Sequence, residues 1–233
     1  MDKFSEHSIS LESVLTSAPS TVMSISAMMT GFPAFLLGQN YNDFRHDHDN
    51  FPTLSSLLER NGWDCNAILM HPDIREKLTA VNMYPRRKWP KGFSHSKWWT
   101  NQEIYKFLSN VLEDENSETP NKPKFWFIDY NCRKDPTISD LVESTFNLFY
   151  ERGYNHSNTI FVLCSDHGYP DPSRGLTPEI LKQRKMTHDM FMTDDNVMIP
   201  FFISFPELPK NIKYKNLVST QNIFPTILDY LQI

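Results

Sequence analysis

The stretch that decides the fold is TIFVLCSDHGYPD, residues 159–171. Its first half is a short apolar run rich in branched residues and bounded by polar neighbours. It reads as a buried strand ending near Ser165. Asp166, His167 and Gly168 follow at once. In an open α/β sheet the carboxyl ends of the strands are where ligands bind. A carboxylate and an imidazole placed there are a natural pair of metal ligands. The glycine after them permits a sharp turn that lets both side chains face one way. Taken alone, the triplet also fits an Asp that caps the next turn beside a surface His.

Working outward, three further runs read as buried strands: CNAILM from 65, KFWFIDY from 124 and IPFFISF from 199. Between them lie amphipathic stretches. TLSSLLERNGW from 53 stops at Gly62. NQEIYKFLSNVLE from 101 places apolar residues at 104, 107, 108, 111 and 112, the spacing of one helical face. TISDLVESTFNLFYERGY from 137 repeats that pattern and stops at Gly153, and TQNIFPTILDYLQI closes the chain with Pro225 near its first turn. Strands alternating with helices predict an α/β fold: a mostly parallel central sheet covered on both faces, a three-layer α/β/α sandwich. EDENSETPNKPK, residues 113–124, is a polar connector too short for an interdomain linker, so 1–233 reads as one domain.

The N-terminal stretch SAPSTVMSISAMMTG, residues 17–31, predicts a helix that starts after Pro19 and Ser20 and stops at Gly31. It carries Ser20, Thr21, Ser24, Ser26 and Thr30 among apolar residues, more hydroxyls than a plain core helix needs. Thr21 sits at the helix N-terminus, where free N–H groups and the positive end of the dipole suit phosphoryl oxygens. A threonine hydroxyl becomes a nucleophile only when a base or a metal activates it. The bland reading is a Ser20 cap followed by an ordinary threonine.

Three separated motifs, in the right order, resemble the sulfatase and alkaline-phosphatase-like superfamily: SDHG after a strand, DDNVMIPFFISFP from 194, and LVSTQNIFPTILDYLQI from 217. That family continues from Asp-His-Gly into an acidic segment, a V-P-L-I-type strand and a segment close to D-I-x-P-T-I-L-D-L-L-G-I. Its sulfatases carry C-x-P-S-R-x-x-L-L-T-G, with the cysteine converted to formylglycine. Registering on Thr30 and Gly31 puts Thr21 at that nucleophile position. Here Thr21 stands for the cysteine, Met23 for the proline and Ile25 for the arginine, so formylglycine cannot form. The stretch is similar to the threonine-nucleophile branch, which includes phosphoethanolamine and phosphoglycerol transferases and nucleotide pyrophosphatase/phosphodiesterases.

The resemblance implies a metal-dependent hydrolase or transferase acting through Thr21 on phosphate esters, with sulfate esters the less favoured alternative. It implies a divalent ion (Zn, Mn or Ca) on Thr21, Asp166 and His167, with Lys185 and His188 contacting the substrate. That substrate is a small-molecule, lipid-linked or glycan-linked ester. The family also begins with a strand ending in acidic metal ligands. Here MDKFSEHSISLESVLTSAPS starts at what reads as the following helix, and Asp2, Glu6 and Glu12 have no strand-end context. The domain therefore reads as N-terminally incomplete, and the alternative is a non-catalytic or truncated domain acting as a binding module.

Weaker candidates complete the set. RHDHDN from 45 places His46 and His48 beside Asp47 in a connector, without a ligand shell. Asn131, Lys134 and Asp135 leave the end of the 124 strand. RRKWP and SHSKWW mix cations with aromatics. Asp194, Asp195 and Asn196 shape the loop into the last strand. A formal charge of -5 gives no basic footprint for nucleic acid. No apolar run approaches the ~20 residues of a membrane span, and the first residues do not resemble a secretory signal. Three cysteines, odd in number and in no metal spacing, argue against a disulfide framework, and Cys65 and Cys164 read as ordinary buried thiols.

Overall fold

The computed structural model describes residues 2–37, 51–69, 99–114, 122–132, 135–175 and 177–233. His46, Asp47, His48, Lys134 and the RRKWP motif lie outside the described residues, as does SHSKWW apart from Trp99. In chain order the elements are α1 (Asp2–Ser5), β1 (Ile9–Leu11), β2 (Val14–Leu15), α2 (Thr21–Thr30), α3 (Leu54–Arg60) and β3 (Asp64–Ile68). Then come α4 (Asn101–Asp114), β4 (Lys124–Ile128), α5 (Ile138–Glu151), β5 (Phe161–Cys164), α6 (Pro178–Gln183) and α7 (Asp194–Val197). The last elements are β6 (Phe201–Ser204), β7 (Ile212–Tyr214), β8 (Val218–Ser219) and α8 (Ile223–Leu231). Among the described residues no helix is long and apolar enough to cross a membrane. The chain divides into two compact units, one of Pro52–Asn158 and one of Asp2–Phe51 with Thr159–Ile233.

In the first unit β3 and β4 pair in parallel, Asp64 opposite Lys124 through Ile68 opposite Ile128. The helical periodicity of α4 holds: Ile104, Phe107, Leu108 and Leu112 are buried, and they join Ile68, Trp99, Leu148 and Phe149 in one core. Burying each such side chain contributes about 1.5–3 kcal/mol. Thr53 and Ser56 start α3 with a reciprocal capping box. Asn101, buried at the start of α4, ties down the loop after β4. It donates to the Asn131 carbonyl at 2.9 Å and to Asp135 Oδ2 at 2.8 Å. Hydrogen bonds from the Thr137 hydroxyl, from Asn101 and from the Thr137 N–H hold the Asp135 carboxyl below its usual pKa.

In the second unit the four-stranded sheet has the order β5-β6-β1-β7. Here the expected strand direction needs correction, because β5 and β6 run antiparallel. The chain between them never crosses the sheet. Gly168 N–H donates to the Asn196 carbonyl at 2.8 Å and Tyr169 N–H to the Asp195 carbonyl at 3.2 Å. The excursion from 170 to 194 thus leaves and returns at one edge, which makes the return strand antiparallel. Parallel pairing is kept between β1 and β7 and between β2 and β8.

The reading of the first 20 residues as a helix approach is also corrected. Ile9–Leu11 is an inner strand, between β6 and β7, and Glu12 follows its end, with Lys213 Nζ 3.9 Å from Oε1. Three residues of alternation are too few to stand out in sequence. Phe4 in α1 covers this sheet, edge-on to Phe161 and Phe202 with ring centroids 6.4 and 6.3 Å away.

Register then places the site. Leu11 is level with Phe201, and Phe201 with Cys164. The ends of β1 and β5 therefore share one edge. From β1 the chain runs along residues 197–199: Thr16 N–H donates to the Val197 carbonyl at 2.8 Å and Ile199 N–H to the Val14 carbonyl at 3.0 Å. Gln221 Nε2 holds Ser17 Oγ at 2.7 Å, fixing the approach to α2. At the far end Gly31 closes α2 in the left-handed conformation, φ 75°. A Cβ there would come within 3.0 Å of the Phe224 ring of α8.

Candidate active site

The two sequence-predicted motifs of the second unit meet. Thr21 is the first residue of α2, preceded by Ser20 in extended conformation, and Ser20 makes no side-chain capping bond. The α2 N–H groups ahead of Ser24, the first to find an intrahelical carbonyl, stay free of the ladder at this end. Thr21 Oγ1 lies 3.0 Å from His167 Nε2, across 146 residues of sequence. The same Nε2 is 3.5 Å from Asp166 Oδ2.

The tautomer of His167 follows from its other nitrogen. Nδ1 is 2.6 Å from the Gly168 carbonyl oxygen, which can only accept. Nδ1 therefore carries a proton, and in the neutral ring Nε2 presents a lone pair to the Thr21 hydroxyl. His188 stacks on this ring, centroids 4.8 Å apart and planes at 25°. Tyr169 flanks His188 on a centroid distance of 5.2 Å. His188 Nε2 pairs with Asp189 Oδ1 at 2.7 Å. Lys185 is brought no closer: it sits exposed in left-handed conformation, φ 53°, one residue past the end cap of α6. No hydrogen bond or ion pair joins it to Thr21 among the described residues.

Two residues to which the sequence reading gives no role, Ser24 and Thr16, hold this geometry. Ser24, one turn along α2 and fully buried, donates to the Asp166 carbonyl at 2.6 Å. Because Ser24 spends its only proton there, Thr16 Oγ1 donates to Ser24 Oγ across 2.6 Å. Helix α2 and the Asp-His turn are therefore joined twice, through Thr21 and through Ser24. Thr30 back-bonds to the Ser26 carbonyl at 2.8 Å and accepts the Phe32 N–H at 3.3 Å, just past the helix end. Gly168 serves differently from expectation. Its φ is not positive, and what it permits is close approach: a Cβ would overlap the Asp195 carbonyl oxygen and lie 3.1 Å from its carbon. Asp195 also accepts the Asp171 N–H on Oδ2.

The donors present are one imidazole nitrogen, one carboxylate and one hydroxyl. That mixture suits Zn or Mn, whereas Ca prefers an all-oxygen shell. Among the described residues no group of three or more His, Cys, Asp or Glu that could hold a metal ion stands together. Cys164, the last residue of β5, stays a neutral thiol: burial, aided by the Asp166 charge, pushes its pKa up to about 12.

The fold of this chain is that of the alkaline-phosphatase-like sulfatases. The Sulfatase family profile matches residues 137–233, which contain Asp166, His167, Lys185 and His188. A Caenorhabditis elegans Sulf-1 homolog is 30% identical over 92 residues, 40% of this chain and 12% of that protein. Among solved structures, Ps i-CgsB with k-i-k-neocarrahexaose superposes with TM-score 0.70 at 14% identity, covering 98% of this chain and 65% of that one. The lipoteichoic acid synthase LtaP of Listeria monocytogenes gives 0.65 at 15%, covering 100% and 65%. The phosphonate monoester hydrolase of Agrobacterium radiobacter gives 0.68 at 11%, covering 99% and 68%. The chain thus spans about two thirds of these structures and a small part of the curated relative.

Proposed function

We propose that this chain carries the site of a hydrolase or transferase for phosphate esters, with Thr21 as nucleophile. The observation that carries the reading is the 3.0 Å contact between Thr21 Oγ1 and His167 Nε2. Thr21 Oγ1 attacks phosphorus while the bond to the leaving oxygen breaks, giving a phosphothreonine. Water or an acceptor alcohol then attacks phosphorus in line, from the side the first leaving group vacated, and the P–Oγ1 bond breaks to free Thr21 with its proton restored. The free N–H groups of α2 receive the phosphoryl oxygens. His188, stacked over His167, faces the leaving or entering group at the rim.

Thr21, Asp166 and His167 Nε2 would hold a divalent ion, whose charge lowers the hydroxyl pKa and balances developing negative charge. The threonine in place of a modifiable cysteine favours phosphate over sulfate. LtaP and the phosphonate hydrolase share the fold and lend support through their names alone.

The test is hydrolysis of bis(p-nitrophenyl) phosphate and p-nitrophenyl sulfate with Mn²⁺ or Zn²⁺, alongside metal content by mass spectrometry. Phosphodiester cleavage should exceed sulfate cleavage, stop with chelator, and fall by several orders of magnitude in Thr21→Ala. Cleavage that persists in Thr21→Ala and in excess chelator refutes the reading.

A further inference from the structure

Asn196 lies 29 residues from His167 in sequence and bears no reactive group. It is nonetheless bonded to both stacked imidazole segments. Its backbone carbonyl accepts the Gly168 N–H at 2.8 Å, holding the residue next to His167. Its side-chain Nδ2 donates to the His188 carbonyl at 2.8 Å and to the Phe191 carbonyl at 2.6 Å. Asn196 is 0% exposed. Both side-chain partners are carbonyls, so the amide NH₂ must face them, and Oδ1 is left buried without a hydrogen-bond partner among the described residues. A side chain that leaves one buried acceptor unmet to satisfy the carbonyls of His188 and Phe191, at the start of the short His188–Met190 turn and just past its end, is placed to aim that turn.

We infer that Asn196 is the positioning residue that sets the His188 ring against His167, and so decides how His188 meets the substrate. The inference rests on the proposed phosphoester site for its kinetic consequence but not for its structural one. Loss of the amide frees two carbonyls at the His188 turn, and the 4.8 Å stack opens. Thr21 and His167 keep their contact, because Ser24 holds the Asp166 turn independently.

The structural arm uses protein labelled with ¹³C at histidine Cε1. In Asn196→Ala the His188 signal should move from its ring-shifted position toward that of the surface His7, while His156 stays in place. Asn196→Ser, which keeps one donor, should move it less. The kinetic arm is a double-mutant cycle on bis(p-nitrophenyl) phosphate. Asn196→Ala should lower kcat/KM about tenfold alone and less than about twofold in the His188→Ala background. An unmoved His188 signal in a folded variant overturns the inference, as does full additivity with His188→Ala. Failure of both variants to fold overturns it too, since Asn196 would then be a stability residue. If the wild-type protein cleaves no phosphoester, the proposed function fails while the spectra still decide the inference.

Discussion

Ser24→Ala is the most telling substitution in α2, because it removes one oxygen and leaves the helix propensity intact or improved. Two 2.6 Å hydrogen bonds pass through that oxygen, to the Asp166 carbonyl and from the Thr16 hydroxyl. Ser24 is 0% exposed, so water cannot replace it cheaply. A neutral hydrogen bond is worth about 1 kcal/mol net, and a buried carbonyl left unmet costs about 1–3 kcal/mol more. Thr16 can turn its proton to the Ala18 carbonyl, 3.3 Å away, and recover part of its loss. The expected cost is about 2–3 kcal/mol, a Tm lower by about 4–12 °C for a chain of this size. Freed from Ser24, the Asp166–His167 turn drifts from Thr21, and a shift near 1 Å costs about a hundredfold in rate. Thr30→Ala, on the same helix, is the control: its back-bond lies within the helix, and it should leave activity unchanged. Differential scanning calorimetry and phosphodiester kinetics read both effects. A Ser24→Ala protein with wild-type Tm and wild-type kcat/KM refutes the argument that the helix and the turn are joined there.

Other outcomes test separate parts of the structure. Gly168→Ala should displace the 195–196 backbone rather than strain φ, so circular dichroism should keep its helix signal while metal binding and activity collapse. In the first unit, burial is the main cause that raises the Cys65 thiol from 9.0 and the Tyr130 phenol from 10.0, each to about 12. Their neutral forms are favoured on folding, so this contribution is complete below pH 9 and fades as pH climbs toward 12. Urea midpoints should therefore fall above pH 9, and a Cys65→Ala, Tyr130→Phe variant should show a flatter decline. An equal decline in that variant would assign the alkaline sensitivity elsewhere.

The sequence by itself determined what depends on near neighbours. The face of α4 at Ile104, Phe107, Leu108 and Leu112 is legible because a helix brings i, i+3 and i+4 together whatever lies around it. The end of α2 at Gly31 and the Asp166–His167 pair at the close of a strand are legible for the same reason, as local chemistry at local punctuation. Tertiary structure alone decided which of the α2 hydroxyls matter. Ser24 and Thr30 look alike in sequence, yet one meets the Asp166 carbonyl 142 residues away and the other meets its own helix and Phe32 two residues on. It also decided the direction of β6, set by an excursion that returns to its own edge. The role of Gly168 depends on the Asp195 carbonyl, and that of Asn196 on the His188 turn. Such contacts join segments whose separation is fixed by the path of the backbone through space, and a composition pattern carries no record of that path.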